Sequence, residues 1–135
     1  MLLAINFWAV LVAAIASYVI GWAWYSLIFA KLWRKLHGID ETSVQNMQMP
    51  YGTMAVEFVT TLIITFFIGE FAVWVGAFSW LGGVVLAFWI WLGFYATTLM
   101  GGVLWEKVPV KLYMINVSRW LVCLLAMGAI IGAWR

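Results

Sequence analysis

Glu57, Thr61, Thr65 and Gly69 recur every fourth residue through an otherwise apolar stretch, the step that stacks side chains on one face of a helix. A second apolar stretch carries Asn116 and Arg119. Both stretches enter the bilayer from the same side, so their depths compare directly. Glu57 lies ~6 Å and Arg119 ~10 Å along its helix at ~1.5 Å per residue, within reach of a long side chain. The spacing predicts a Glu57–Arg119 ion pair. An unpaired charge at mid-membrane costs at least ~2.5 to 3.5 kcal/mol, so such residues find a partner or a task. Two readings follow: a structural pair, or a polar interior of Glu57, Thr61, Thr65, Asn116 and Arg119 that meets a solute. Glu70, ~26 Å along its helix, is expected in solvent at the far interface.

Trp89, Trp91 and Trp120 fall near mid-span, although tryptophan favours the interfaces. They are candidates for stacking on a flat lipid-soluble ligand such as a quinone, a carotenoid or a drug-like cation, the alternative being packing or lipid contact. Other chemistry lacks support. His37 is the only histidine and stands near Asp40 and Glu41 alone, too sparse for a metal centre. Met47 and Met49 lack histidine or cysteine support for copper. Cys123, the only cysteine, falls inside the last apolar stretch, so no intramolecular disulfide or thiolate site forms. No Ser/His/Asp set, paired acid and base, or phosphate-binding glycine loop is present; no enzyme, metal or cofactor is expected.

The elements that must position these residues follow from composition. With 67% hydrophobic and only 9% charged positions in 135 residues, the chain departs far from soluble domains, in which roughly a quarter of residues are charged. Lipid is its solvent, and one domain, residues 1–135, fills the length. Continuous apolar runs predict an all-α integral membrane bundle of four transmembrane helices over about 3–29, 53–75, 80–104 and 112–134; alternating barrel strands are excluded. Ala14-Ile15-Ala16 resembles a small-residue cleavage site, but no positive charge precedes the run and hydrophobicity continues to Phe29, so it reads as an uncleaved first span.

The connection 30–52 starts with Leu32, Trp33 and Leu36 on one face amid cations, an amphipathic extension along the headgroups that stops near Gly38. Asp40 caps a short polar helix to Val44, and Pro50 opens the second span. Residues 76–79 form a charge-free turn. Lys31, Arg34 and Lys35 in the first connection and Lys107 and Lys111 in the third lie on one side, against Arg135 on the other. The positive-inside rule then puts both termini outside. Trp8, Trp74, Trp80 and Trp134 near the outer boundary, and Trp33, Tyr51, Trp105 and Tyr113 near the inner one, agree. The basic balance serves orientation, and no nucleic-acid partner is expected.

Apolar helices associate in lipid through small residues. Ala9, Ala13, Ser17 and Gly21 form one ladder; Gly93, Thr97 and Gly101 a second; Gly128 and Gly132 a third. Each suits packing within the bundle, or a homo-oligomer interface. Gly21 to Trp33 aligns with Gly93 to Trp105 without a gap, both ending in Leu-Trp and carrying Ser26 or Thr98 before Leu27 or Leu99. That pattern is compatible with a duplicated helical hairpin.

The run Trp24-Tyr25-Ser26-Leu27-Ile28-Phe29-Ala30-Lys31-Leu32-Trp33 resembles the small bacterial membrane proteins called domain of unknown function 1761, whose members show W-Y-S-P and then F-G-K and a tryptophan. Trp24, Tyr25, Ser26, Lys31 and Trp33 carry the motif. Asn6 with its Ala-Val-Leu-Val-Ala-Ala run, Trp91-Leu92-Gly93-Phe94 with Thr97 and Thr98, Leu112 to Asn116, and Met127 to Trp134 match as well, spanning nearly the whole chain. Leu27 stands where the family shows proline, Ala30 where it shows glycine, and Arg119-Trp120 where it shows Tyr-His, so no role of that histidine transfers. The resemblance implies a four-helix membrane fold and no established activity, and the chain is expected as a multi-pass protein of the bacterial cytoplasmic (inner) membrane.

The residues alone leave two classes of function open. One is a homo-oligomeric, channel- or transporter-like bundle for a small solute. The other is a non-catalytic accessory or scaffold subunit of a larger membrane complex, or a binder of a lipid-soluble ligand.

Overall fold

The computed structural model describes residues 6–24 and 51–134. Among these residues the chain is all-helical: α1 (Phe7–Ala23), α2 (Tyr51–Val75), α3 (Trp80–Trp105) and α4 (Val110–Ala133). The last three are long and apolar enough to cross a membrane. As described, α1 has 17 residues, short of the ~20 that a crossing uses; its expected continuation to 29, the loop helices and the motif residues Tyr25, Ser26, Lys31 and Trp33 lie outside the described residues, as do His37, Met47 and Met49. The other boundaries fall within two residues of those read from hydropathy.

Local chemistry sets the ends. Asn6 caps α1, its side-chain oxygen accepting from the N–H groups of Trp8 at 3.0 Å and Ala9 at 3.3 Å, donors that would otherwise be orphaned. At the end of α2, Gly76 adopts φ 74. That left-handed turn lets Ala77 N–H reach Ala72 O at 2.8 Å and Gly76 N–H reach Val73 O at 3.3 Å, the paired bonds of a Schellman stop. Ser79 then caps α3 by accepting from Gly82 N–H at 3.0 Å. The expected charge-free turn is thus a stop, a reversal and a new cap in four residues.

α4 is the hub, packed chiefly on α3 and α1 and also on α2. It runs antiparallel to α1, because Ser17 meets Cys123 while Trp24 meets Ile115. Ala9, Ala13, Ser17 and Gly21 are all buried, so the first ladder packs inward as expected. The third does too: Gly128 and Gly132 sit against the backbone of α3, and a Cβ on Gly83 would run into the Gly128 carbonyl. Here two helices touch backbone to backbone, which favours association in lipid through close van der Waals contact. The second ladder does not pack. Gly93 and Thr97 are exposed, Gly101 is half-buried, and a Cβ on either glycine would meet nothing within 4 Å. Gly83, off that ladder, takes its place, because it faces α4 and they do not.

Ala13, Ile68, Ala72, Ala77, Ala87, Leu124, Met127 and Ile131 form a continuous apolar core, placed toward the end of the bundle that holds the α2–α3 turn. Large apolar side chains such as Val19, Ile63, Phe67 and Phe94 are exposed along the outside, as lipid-facing positions would be. Trp8, Trp74 and Trp80 are more than half exposed at one end of the bundle and Trp105 is 86% exposed at the other.

Candidate functional site

The core ends where Arg119 begins. Its side chain keeps only 7% of its exposure, and one terminal nitrogen meets Glu57 Oε1 at 3.1 Å, while the Glu57 side chain stays 48% exposed. The expected ion pair forms, with unequal partners: a buried cation and a half-exposed anion. Residue 119 reaches residue 57 because both helices rise from the same end, each residue about two turns inside.

Two other contacts confine the guanidinium. Its central carbon lies 4.2 Å from the Trp120 ring centroid, a cation–π distance. Trp120 is backed by Tyr95, centroid to centroid 4.9 Å. The guanidinium also lies against α1, where a Cβ on Gly21 would be 2.7 Å from a terminal nitrogen of Arg119. Only glycine at that rung leaves room for the cation against the α1 backbone.

A π-helical turn, Trp91–Ala96, interrupts α3 at this level. Such turns insert a residue and rotate the side chains that follow. The turn is held by α4 at both ends: Trp91 Nε1 donates to Val117 O at 2.8 Å, and Tyr113 OH donates to Ala96 O at 2.9 Å. Between them Tyr95 is half-buried against Trp120. On α1, Trp24 Nε1 donates to Ile115 O at 3.1 Å and Cys123 Sγ donates to Ser17 O at 3.4 Å. Tyr18, whose hydroxyl donates to Met54 O at 3.3 Å, stands edge-on to Phe58, centroids 5.6 Å apart. All four helices therefore contribute to one polar and aromatic cluster around Arg119.

Several sequence expectations change here. Thr61 and Thr65 are 2% and 0% exposed, yet their hydroxyls donate to the carbonyls of Glu57 at 2.8 Å and Thr61 at 2.7 Å on their own helix. The two threonines of the stripe are buried and satisfied on their own helix, and beyond them Leu124 and Met127 close the interior. Asn116 is half-buried one turn before Arg119. The three mid-span tryptophans do not gather: Trp89 is 62% exposed, Trp91 is tied to Val117, and Trp120 alone touches the charge. Glu70 is not solvated at the interface. It is 4% exposed, with Oε1 lacking a hydrogen-bond partner, and at 100° per residue it faces away from the Thr61 stripe. No group of three or more His, Cys, Asp or Glu side chains fit to hold a metal occurs among the described residues.

Tyr18, Tyr95 and the contact of Gly21 with Arg119 escape sequence reasoning. The one signal was Gly21 itself, a glycine in a buried ladder one turn from the motif's Trp24. Comparison with known proteins matches residues 8–132 to the model of a family described as protein of unknown function, DUF1761. No curated protein and no solved structure matches.

Proposed function

Because the chain belongs to the DUF1761 family, whose description assigns no activity, we propose its function from the site: a small charged solute binds at the Glu57–Arg119 pair. One observation carries the reading, the 3.1 Å pair between a buried arginine and a half-exposed glutamate. A purely structural pair is best hidden whole, whereas a pair open at its anion can exchange partners. The protein acts as a non-enzymatic, multi-pass protein of a bacterial cytoplasmic membrane, four helices spanning and both termini outside, so that Lys107 and Lys111 and the pair share the cytoplasmic half. Because Leu124, Met127 and Ile68 fill the interior beyond Thr65, transport through a single bundle needs rearrangement. We assign movement of the solute to a homo-oligomer, in which a second copy supplies the other wall. Purified protein in liposomes tests this: Glu57→Gln should change solute flux with assembly intact by native mass spectrometry. If the substitution merely unfolds the protein, the pair is structural.

The open rungs at Gly93 and Gly101 favour a second reading, an accessory subunit whose α3 face receives a partner helix. In that case Gly93→Leu or Gly101→Leu abolishes co-purification of the partner. Ligand binding by a tryptophan trio loses its basis, since Trp89 stands apart.

A further inference from the structure

We propose that Arg119 receives a carboxylate carried by the ligand, and that Glu57 is the internal placeholder this carboxylate displaces. The inference rests on the reading that the pair is a solute site, and it names the class of solute.

Of the two partners, only Glu57 is placed to leave. Arg119 keeps 7% of its side-chain exposure. Its guanidinium is in contact with Trp120, itself backed by Tyr95, and lies against the α1 backbone at Gly21. The cation is the partner packed into the protein. Glu57 holds it by one oxygen, Oε1, and is 48% exposed, so the carboxylate can swing outward about its own side-chain bonds. When an incoming carboxylate takes its place, the buried cation keeps one anion throughout and the released glutamate passes to the exposed side. The number of buried charges does not change. An incoming cation would do the reverse. By pairing with Glu57 it would strip Arg119 of this counter-ion where burial makes an uncompensated charge most costly. The planar guanidinium offers parallel donors that suit a carboxylate better than a spherical anion, and Glu57 already shows that the space admits that group.

A carboxylate at this depth has two sources, a small soluble acid or the head of a fatty acid. Acetate and decanoate separate them. Equilibrium dialysis with radiolabelled acetate, decanoate and tetramethylammonium, on full-length protein in nanodiscs, gives the test. Both carboxylates share the site chemistry; tighter binding of decanoate names an acyl-chain ligand, and equal binding a soluble one. Glu57→Gln removes the competitor, so carboxylate affinity should rise about tenfold if the placeholder is out of the way about a tenth of the time. Arg119→Gln should reduce binding to background in protein whose helicity is unchanged. Should that variant fail to fold, the direction of the Glu57→Gln effect decides. A fall in carboxylate affinity on Glu57→Gln, or carboxylate binding that survives Arg119→Gln, overturns the inference. Tetramethylammonium binding that Glu57→Gln abolishes overturns the ligand class and leaves the site reading standing. If none of the three probes binds wild type or Glu57→Gln, both fall.

Discussion

The sharpest test of the packing compares glycines on one helix. Gly83 and Gly93 both lie on α3, ten residues apart in the same apolar stretch. A methyl group added at Gly83 enters the carbonyl of Gly128, whereas one added at Gly93 meets nothing within 4 Å. Gly→Ala in a helix gains about 0.8 to 1 kcal/mol of intrinsic stability. At Gly93 that gain stands alone, so Gly93→Ala should be neutral or stabilise by up to ~1 kcal/mol. At Gly83 the obstacle is backbone, which cannot turn aside as a side chain can, and overpacking costs about 1–3 kcal/mol or more. Two backbones in contact put it at the top of that range. Gly83→Ala should therefore lose about 2 kcal/mol net, a factor of up to ~30 in the folding equilibrium. Gly128→Ala should behave likewise, since its Cβ would fall 2.9 Å from the Ala87 methyl carbon as well as on the Gly83 carbonyl. Reversible unfolding by titration of dodecyl sulfate into mild micelles, followed by circular dichroism, reads these differences. If Gly93→Ala costs as much as Gly83→Ala, the facing of α3 on α4 is wrong.

Gly21→Ala should press on the guanidinium and weaken its hold on Glu57, costing about 1 kcal/mol because a flexible side-chain end can yield; the loss should shrink when Glu57 is already glutamine, which a double-mutant cycle measures. Glu70→Gln should stabilise the bundle by about 1–3 kcal/mol, since it replaces a buried carboxylate whose Oε1 has no partner; destabilisation in the same titration would mean that the carboxylate carries a contact of its own. Cys123 is 0% exposed, with its thiol turned to Ser17 O, so maleimide labelling should proceed only after dodecyl sulfate unfolding; prompt labelling of the native protein would refute the α1–α4 packing. Replacing Glu57 and Arg119 together by leucine should cost less than Arg119's loss of Glu57 alone, because no buried charge is left uncompensated; measured stabilities in the opposite order would count against the burial of Arg119.

Sequence by itself determined the three long apolar helices, and for a physical reason: in hydrocarbon every backbone donor and acceptor must bond within the segment, so a continuous apolar run of sufficient length has to be a helix. It also determined the Glu57–Arg119 pair, because two lone charges at similar depth, entering from the same side, lower their energy most by meeting. What it left open was facing. In water a helix shows its buried side as an apolar stripe; in lipid both sides are apolar, and the pattern that points inward is erased. Hence the ladder of Gly93, Thr97 and Gly101 looked as ready to pack as that of Gly128 and Gly132, and only the close approach of Gly83 to α4 separates them. Burial of Glu70 depends on the same unreadable rotation. The π-helical turn at Trp91–Ala96 is a compromise between α3's own hydrogen bonds and the anchors offered by Val117 and Tyr113 on α4. It brings Tyr95 onto Trp120, a contact that no periodicity in one strand of sequence encodes, because it exists only once two helices have chosen their faces.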